Sequence, residues 1–249
     1  MDVDNQNCED THVSDYPYSV SIQKKGAHYA SGALIHNKWI LSVAGEFYHI
    51  RESIKLFRAR LGSLNCKKGG VLVPLKRIEV HPSYIYNQPG FDLALLRIGH
   101  GVKCSNNIRP ISLSDVRSSV INAKFLATYW PRLMVRGKVL PQSAKERIKQ
   151  NRMRVSTQKT LPWKTCSNIV QASNYTLHVS SLCLKPITSH HSSCMPDVGA
   201  PIIGDDGLWG ITSGWITDDC SNYNSPTIFT RISIEPITTW LNTLLDEDK

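Results

Sequence analysis

No stretch of this 249-residue chain strings together enough apolar residues to cross a bilayer. No membrane association is expected of it. Met1-Asp2-Val3-Asp4 opens a polar segment without the apolar centre of a signal peptide. Any secretion signal is therefore expected to have been removed or replaced. Internal repeats and low-complexity tracts are missing, which leaves an ordinary folded unit. Aromatic residues make up 8% of the chain and do not interleave with its cations, as binding of single-stranded nucleic acid would require. No nucleic-acid partner, cofactor or metal is expected. Helical periodicity is scarce too: only the last dozen residues carry it, with Ile237, Trp240, Leu241 and Leu244 in register.

What the chain does hold is enough apolar matter, 41% of its residues, for a substantial core. Short β-branched or alternating runs recur at Tyr18–Gln23, Lys55–Leu61, Val71–Val80, Lys124–Thr128, Met153–Thr157 and Leu208–Ser213. Gly69-Gly70, Pro89-Gly90 and Asn222–Pro226 punctuate them. That pattern predicts an all-β barrel or sandwich rather than βαβ units. The formal net charge is +9, unevenly spread. Arg132, Arg136, Lys138, Lys145, Arg147, Lys149, Arg152 and Arg154 crowd one segment in which Glu146 is the only acid. Two readings stand: a solvated loop, or a cationic surface for an acidic partner.

The most informative stretch is Cys194-Met195-Pro196-Asp197-Val198-Gly199-Ala200-Pro201. It resembles the C-x-G-D-S-G-G-P loop of trypsin-like serine proteases with valine in place of the nucleophile. Other motifs follow in that family's order. Ser31-Gly32-Ala33-Leu34-Ile35 and Trp39 to Glu46 resemble C-G-G-x-L-I and W-V-L-T-A-A-H-C, with Gly45 at the histidine position. Phe91 to Leu96 resembles D-I-A-L-L, so the triad aspartate is Asp92. Gly210 to Ser213 and Pro226 to Ile232 resemble G-I-V-S and P-G-V-Y-T-R-V. The resemblance spans roughly Pro17 to Leu245 and implies two six-stranded antiparallel barrels with a C-terminal helix. In one domain covering the chain, barrel one is expected at about 15–115, barrel two at about 120–233 and the helix at about 234–245.

Against that family the chemistry is depleted. Val198 has no oxygen to attack a carbonyl, and Gly45 has no imidazole to take a proton. His49, four residues along, would still lack a hydroxyl to activate, and His190 and His191, next to Ser192 and Ser193, read as polar loop rather than a relocated catalytic dyad. Pro196 stands where the family's oxyanion glycine donates its N–H, and proline has none to give. In the specificity pocket, Ser192 replaces the trypsin aspartate and Thr227 replaces a wall glycine. Met195 adds bulk at the rim. Active members begin I-V-G-G, whose freed ammonium pairs with the aspartate before the serine; here Asn5-Gln6-Asn7-Cys8 falls at that place. Asp197 is expected either to hydrogen-bond locally or to leave its surroundings zymogen-like. A pseudoprotease is the expectation.

In this family seven cysteines read as disulfides in an oxidising, extracellular compartment. The resemblance implies Cys166–Cys183 and Cys194–Cys220. The pair flanking the histidine is absent at both ends, as Ala30 and Glu46, and another is absent as Phe125 and Gly204. Cys8, Cys66 and Cys104 remain. Extending the family's antiparallel pairing of Val71–Val80 with the strand after Asp92 suggests Cys66–Cys104. Asn174-Tyr175-Thr176 is the only glycosylation sequon.

Pro17 to Gln23 and Trp39 to Ser42 resemble the P-Y-Q-I-S-L-Q and W-I-L-T of mite group 3 allergen trypsins. Their relatives include the scabies mite inactivated protease paralogues. That resemblance implies a secreted protein acting by binding host plasma proteins, complement among them, with Lys145, Arg147, Lys149, Arg152 and Arg154 as the contact surface. A non-catalytic cofactor of a protease cascade, a decoy, and a hydrolase with a rebuilt site are the alternatives.

Overall fold

Alternation of buried and exposed side chains sets the architecture. In the strand Phe57–Leu61, Phe57, Ala59 and Leu61 are buried while Arg58 and Arg60 are not, the two-residue period of a strand with one face on a core. The computed structural model describes residues 12–116, 123–131, 134–135, 138–139, 143, 148, 151–172, 174–187, 197–213 and 226–247. Its first six strands are β1 (Ser19–Lys24), β2 (Ala27–His36), β3 (Trp39–Ser42), β4 (Phe57–Leu61), β5 (Val71–Val80) and β6 (Ala94–Ile98). They close in the order β1-β2-β3-β6-β5-β4. A barrel this small is filled by its own side chains; Trp39, Phe57, Ile22, Leu41, Leu61 and Leu95 are fully buried.

The second barrel uses β7 (Lys124–Tyr129), β10 (Arg154–Thr160), β11 (Ser181–Pro186), β12 (Pro201–Gly204), β13 (Gly207–Thr212) and β14 (Thr227–Arg231). It closes as β10-β11-β14-β13-β12-β7, and β8 (Met134–Val135) with β9 (Lys138–Val139) forms a separate hairpin. The connecting chain is stitched to both barrels. Ile111 N–H donates to Leu34 O and Ser114 N–H to Leu208 O, each at 2.9 Å. A Ser19–Thr128 hydroxyl pair at 2.8 Å joins β1 to β7 in the buried interface.

Two helices complete the described fold. The C-terminal α2 (Glu235–Asp246) carries Pro236 in its first turn, where a missing N–H costs nothing. It buries Ile237, Leu241 and Leu244 in the cluster that fills barrel one. The other, α1 (Trp163–Ala172), was not expected from periodicity. Its buried stripe is only Cys166 and Val170, and Thr165, Ser167 and Asn168 dilute its helical preference. A bridge from Cys166 to Cys183 in β11, with Cα atoms 5.6 Å apart, pins it to the barrel. Asn174, at φ 62, ends it in a left-handed turn, with Tyr175 N–H donating to Val170 O.

The suggested Cys66–Cys104 bridge does not form: both thiols are free, Cys66 buried and Cys104 exposed. Strand β6 ends at Ile98 opposite Leu75, so the first residues of β5 have no β6 pairing to extend. The chain then leaves toward Asn37, whose carbonyl accepts the Val102 N–H at 2.9 Å. Cys66 goes elsewhere, packed with Trp130 and Met153, its N–H donating to Asn151 O at 2.9 Å. Cys8, Cys194 and Cys220 lie outside the described residues. Burial pushes the Cys66 thiol pKa up, which suppresses the reactive thiolate. Iodoacetamide should leave Cys66 unmodified in the native protein and label it once urea unfolds the chain. Rapid native labelling, read by peptide mass mapping, would contradict this packing.

Candidate functional site

The site is built around Asp92, a carboxylate with no exposure to solvent. Its backbone is aimed by an uncommon neighbour: Phe91 sits at φ 55, a conformation that survives only where surroundings enforce it. They do so from three sides. The Phe91 ring stacks on His81 at 4.8 Å and meets His178 at 4.7 Å, and its N–H donates to Ser180 Oγ at 3.1 Å. Asp92 Oδ1 then accepts the Gly45 N–H at 2.8 Å. Oδ2 is buried without a hydrogen bond of good geometry, although the Ser213 hydroxyl is close enough to favour the charged form. Burial outweighs these attractions and raises the Asp92 pKa to about 7.

At Gly45 a histidine side chain would meet oxygen. A Cβ built there lies 3.1 Å from Tyr84 Oη and 3.6 Å from Asp92 Oδ1. Tyr84 is itself buried, and its ring packs on Tyr48 at 5.6 Å. His49 is exposed and packs edge-on against Tyr86, centroids 4.3 Å apart, rather than on the buried carboxylate.

Val198 closes the other side. Its half-buried side chain packs against the main apolar cluster, and its carbonyl accepts the Ser31 N–H at 3.0 Å. Gly199 follows at φ 81, where a Cβ would strike Ser31 O at 2.1 Å and Ser42 Oγ at 2.5 Å. No residue but glycine fits there. Gly199 N–H donates to Thr212 O at 2.8 Å, and Ser213 next along the chain lies beside Asp92. The structure thus brings Gly45, Asp92 and the Val198 loop into one place. Thr227 is buried at the head of β14, opposite Leu184. Ser192, Met195, Pro196, His190 and His191 lie outside the described residues, as do Lys145, Arg147 and Lys149. Arg152, Arg154 and Asn174 are exposed.

Asp197 is held within the barrels. Its Oδ2 accepts from His28 Nε2 at 3.0 Å, from the Ser31 hydroxyl and from the Trp130 N–H at 3.2 Å. The other ring nitrogen of His28 faces Ser21 Oγ at 2.7 Å. Since a carboxylate only accepts, Nε2 is the donor; Nδ1 accepts from Ser21 in the neutral ring and donates in the cation. His28 and Tyr84 are the residues that sequence reasoning missed. A bulge puts His28 there: β1 and β2 slip register between Ile22 and Gln23, so that Gln23 faces His28 where regular pairing would place Tyr29. No spacing rule announces such a slip.

Two outcomes follow from these carboxylates. Below about pH 4 Asp92 is protonated in both folded and unfolded chains. Between there and its folded value of about 7, only the folded chain keeps the proton, so this group's contribution to stability declines as pH rises through that window. Asp92→Asn should therefore stabilise the protein at pH 8, by up to about 4 kcal/mol at about 1.4 kcal/mol per tenfold, and the gain should fade toward pH 4. Urea melts at both pH values measure it; a gain independent of pH would contradict the assignment. His28→Ala should cost about 1.5–3 kcal/mol by removing one of the three donors to a buried carboxylate, whereas Ser21→Ala should cost about 1 kcal/mol.

Comparison with known proteins places this geometry. The family profile described as Trypsin matches residues 3–241. A trypsin of Phaedon cochleariae is 26% identical over 235 residues, covering 94% of this chain and 85% of that protein. Hypodermin-A of Hypoderma lineatum is 23% identical over 223 residues, covering 89% and 80%. Among solved structures, neuropsin, a serine protease expressed in the limbic system of mouse brain, superposes with a TM-score of 0.75 at 18% identity, covering 94% of this chain and 97% of its own.

Proposed function

Because the chain belongs to the trypsin family, we propose that it keeps the scaffold of those serine proteases without their catalysis and works by binding a partner. The observation that carries this reading is the surroundings of Asp92. Its carboxylate receives a backbone N–H from Gly45, and Tyr84 Oη lies 3.1 Å from where the Cβ of a histidine would stand, crowding that side chain. Across the site Val198 offers methyl groups packed on the core. Neither nucleophile nor base is present at these positions, so acyl transfer has no route.

Two further observations support it. Asp197, which the family's N-terminal ammonium engages on activation, already receives His28, Ser31 and Trp130. Pro196 offers no N–H to an oxyanion, and one missing donor costs on the order of 10²–10³ in rate. The resemblance of Pro17–Gln23 and Trp39–Ser42 to the mite proteins points to a secreted role. Host plasma proteins, complement components included, are then the partners, met through the basic segment that ends in Arg152 and Arg154. The sequon asparagine, Asn174, is exposed and open to glycosylation in that compartment.

A fluorophosphonate probe should label no serine of the native protein, and chromogenic peptide substrates should not turn over. The double variant Gly45→His, Val198→Ser should remain inactive, because Tyr84 crowds the new histidine and Asp197 stays engaged. Stoichiometric labelling of the native chain would sink the reading. A normal protease rate in the double variant would show that the scaffold defects are weaker than argued. Capture of a partner from host plasma tests the binding half directly.

A further inference from the structure

Acidic residues are missing from long parts of barrel one: none occurs from Tyr16 to Gly45 or from Ser53 to Ile78. Those stretches carry Lys24, Lys25, Lys55, Arg58, Lys67 and Lys68 among their cations. The fold gathers them. The hairpin loop 62–70 between β4 and β5 folds back over the barrel wall, held through the Cys66 carbonyl, which accepts from Gln23 Nε2 and from Arg60 Nε. Lys67 Nζ then donates to Gly26 O at 2.8 Å. That bond sets the Lys67-Lys68 pair of the loop against the Lys24-Lys25 pair of the β1–β2 turn. Concentrating like charge opposes folding, yet no carboxylate from either stretch relieves it.

The basic segment of barrel two reaches the same place. Asn65 pairs with Arg152 in an antiparallel bridge, Met153 N–H donates to Leu64 O at 2.7 Å, and Cys66 N–H to Asn151 O at 2.9 Å. The exposed Arg152 and Arg154 therefore continue the lysine surface across the junction of the barrels. Aliphatic side chains are set among these cations: Leu56 is 40% exposed and Val71 and Leu72 are each 45% exposed. Leu56 lies beside Lys25, whose N–H its carbonyl accepts at 3.1 Å, and Leu72 pairs with Arg60 across the strands.

We infer that this composite face, from the Lys24-Lys25 turn over the loop 62–70 to Arg152 and Arg154, binds an acidic polypeptide segment that carries apolar side chains. The inference rests on the binding role proposed above and gives it a location that includes barrel one. Charge alone would suit any polyanion; the interspersed aliphatic side chains give a peptide's apolar residues something to cover, which a sulfated polysaccharide lacks. Among the described residues the patch also exposes no large aromatic side chain of the kind that anchors proteins at a bilayer surface. Opposite charge across such a face speeds encounter and weakens with salt.

The test uses the full chain and a fluorescein-labelled peptide of repeated Glu-Asp-Leu. Comparators are oligoglutamate of equal charge, heparin, and vesicles of phosphatidylserine and phosphatidylcholine in equal parts. The Glu-Asp-Leu peptide should bind best, with Kd rising about tenfold as salt goes from about 50 to about 200 mM. The variant Lys25→Ser, Lys67→Ser, Lys68→Ser, Arg152→Ser alters only exposed side chains and should lose at least about tenfold in affinity. Lys164→Ser with Lys185→Ser, cations of barrel two outside this face, should stay within about twofold. Equal affinity in the four-site variant, or tighter binding to heparin or vesicles than to the peptide, would overturn the proposal. Plasma capture separates the two claims: a partner retained equally by the four-site variant defeats this surface and leaves the binding role standing. No partner on the unaltered chain defeats the binding role itself.

Discussion

Asp197 leaves the second barrel and gives its carboxylate to the first. His28 and Ser31 of β2 and the Trp130 N–H beyond β7 all donate to one oxygen of it. A buried carboxylate without donors would be expelled toward water or protonated, so this cluster fixes how the two barrels meet. The residues that follow inherit their positions from it. Val198 is anchored through its carbonyl to Ser31, and Gly199 is pressed against Ser31 and Ser42 so closely that no side chain is admitted. From there the hydrogen bond to Thr212 leads to Ser213 and on to Asp92.

The two buried aspartates differ in how many donors reach them. Three donors converge on Asp197 Oδ2, whereas Asp92 has one hydrogen bond of good geometry, from the Gly45 N–H to Oδ1. Asp92 therefore has fewer donors to offset its burial. On the proposed reading, Asp92 is a relic: a carboxylate suited to orienting an imidazole that the chain does not supply. The fold tolerates it because a large core surrounds it, with Phe91, His81 and His178 holding the local backbone in an uncommon conformation.

Much of the fold was legible because strand periodicity and the order of motifs are local properties. Phe57, Ala59 and Leu61 alternate with two arginines, and Ile237, Leu241 and Leu244 recur on one helical face; each pattern can be read without knowing the partner. Helix α1 escaped because its buried stripe is two residues wide and its disulfide does the work of a hydrophobic face. Gly45, Asp92 and Val198 were legible as letters in motifs. Tyr84 beside the histidine position and His28 on Asp197 were not, since each depends on where another segment lies, and His28 depends on a register slip as well. The Cys66–Cys104 suggestion failed for the same reason: strand pairing was extended past the point where β6 ends and the chain turns to Asn37.

Gly199 carries a consequence for how such chains evolve. Its left-handed backbone and the 2.1 Å approach of Ser31 O to any added Cβ have nothing to do with bond cleavage, yet glycine at that place is among the letters by which a protease loop is known. Packing therefore polices part of the signature, while the letters that served chemistry alone are free to drift. A lineage that stops cutting peptides goes on spelling much of the word, and its ancestry stays readable long after its trade has changed.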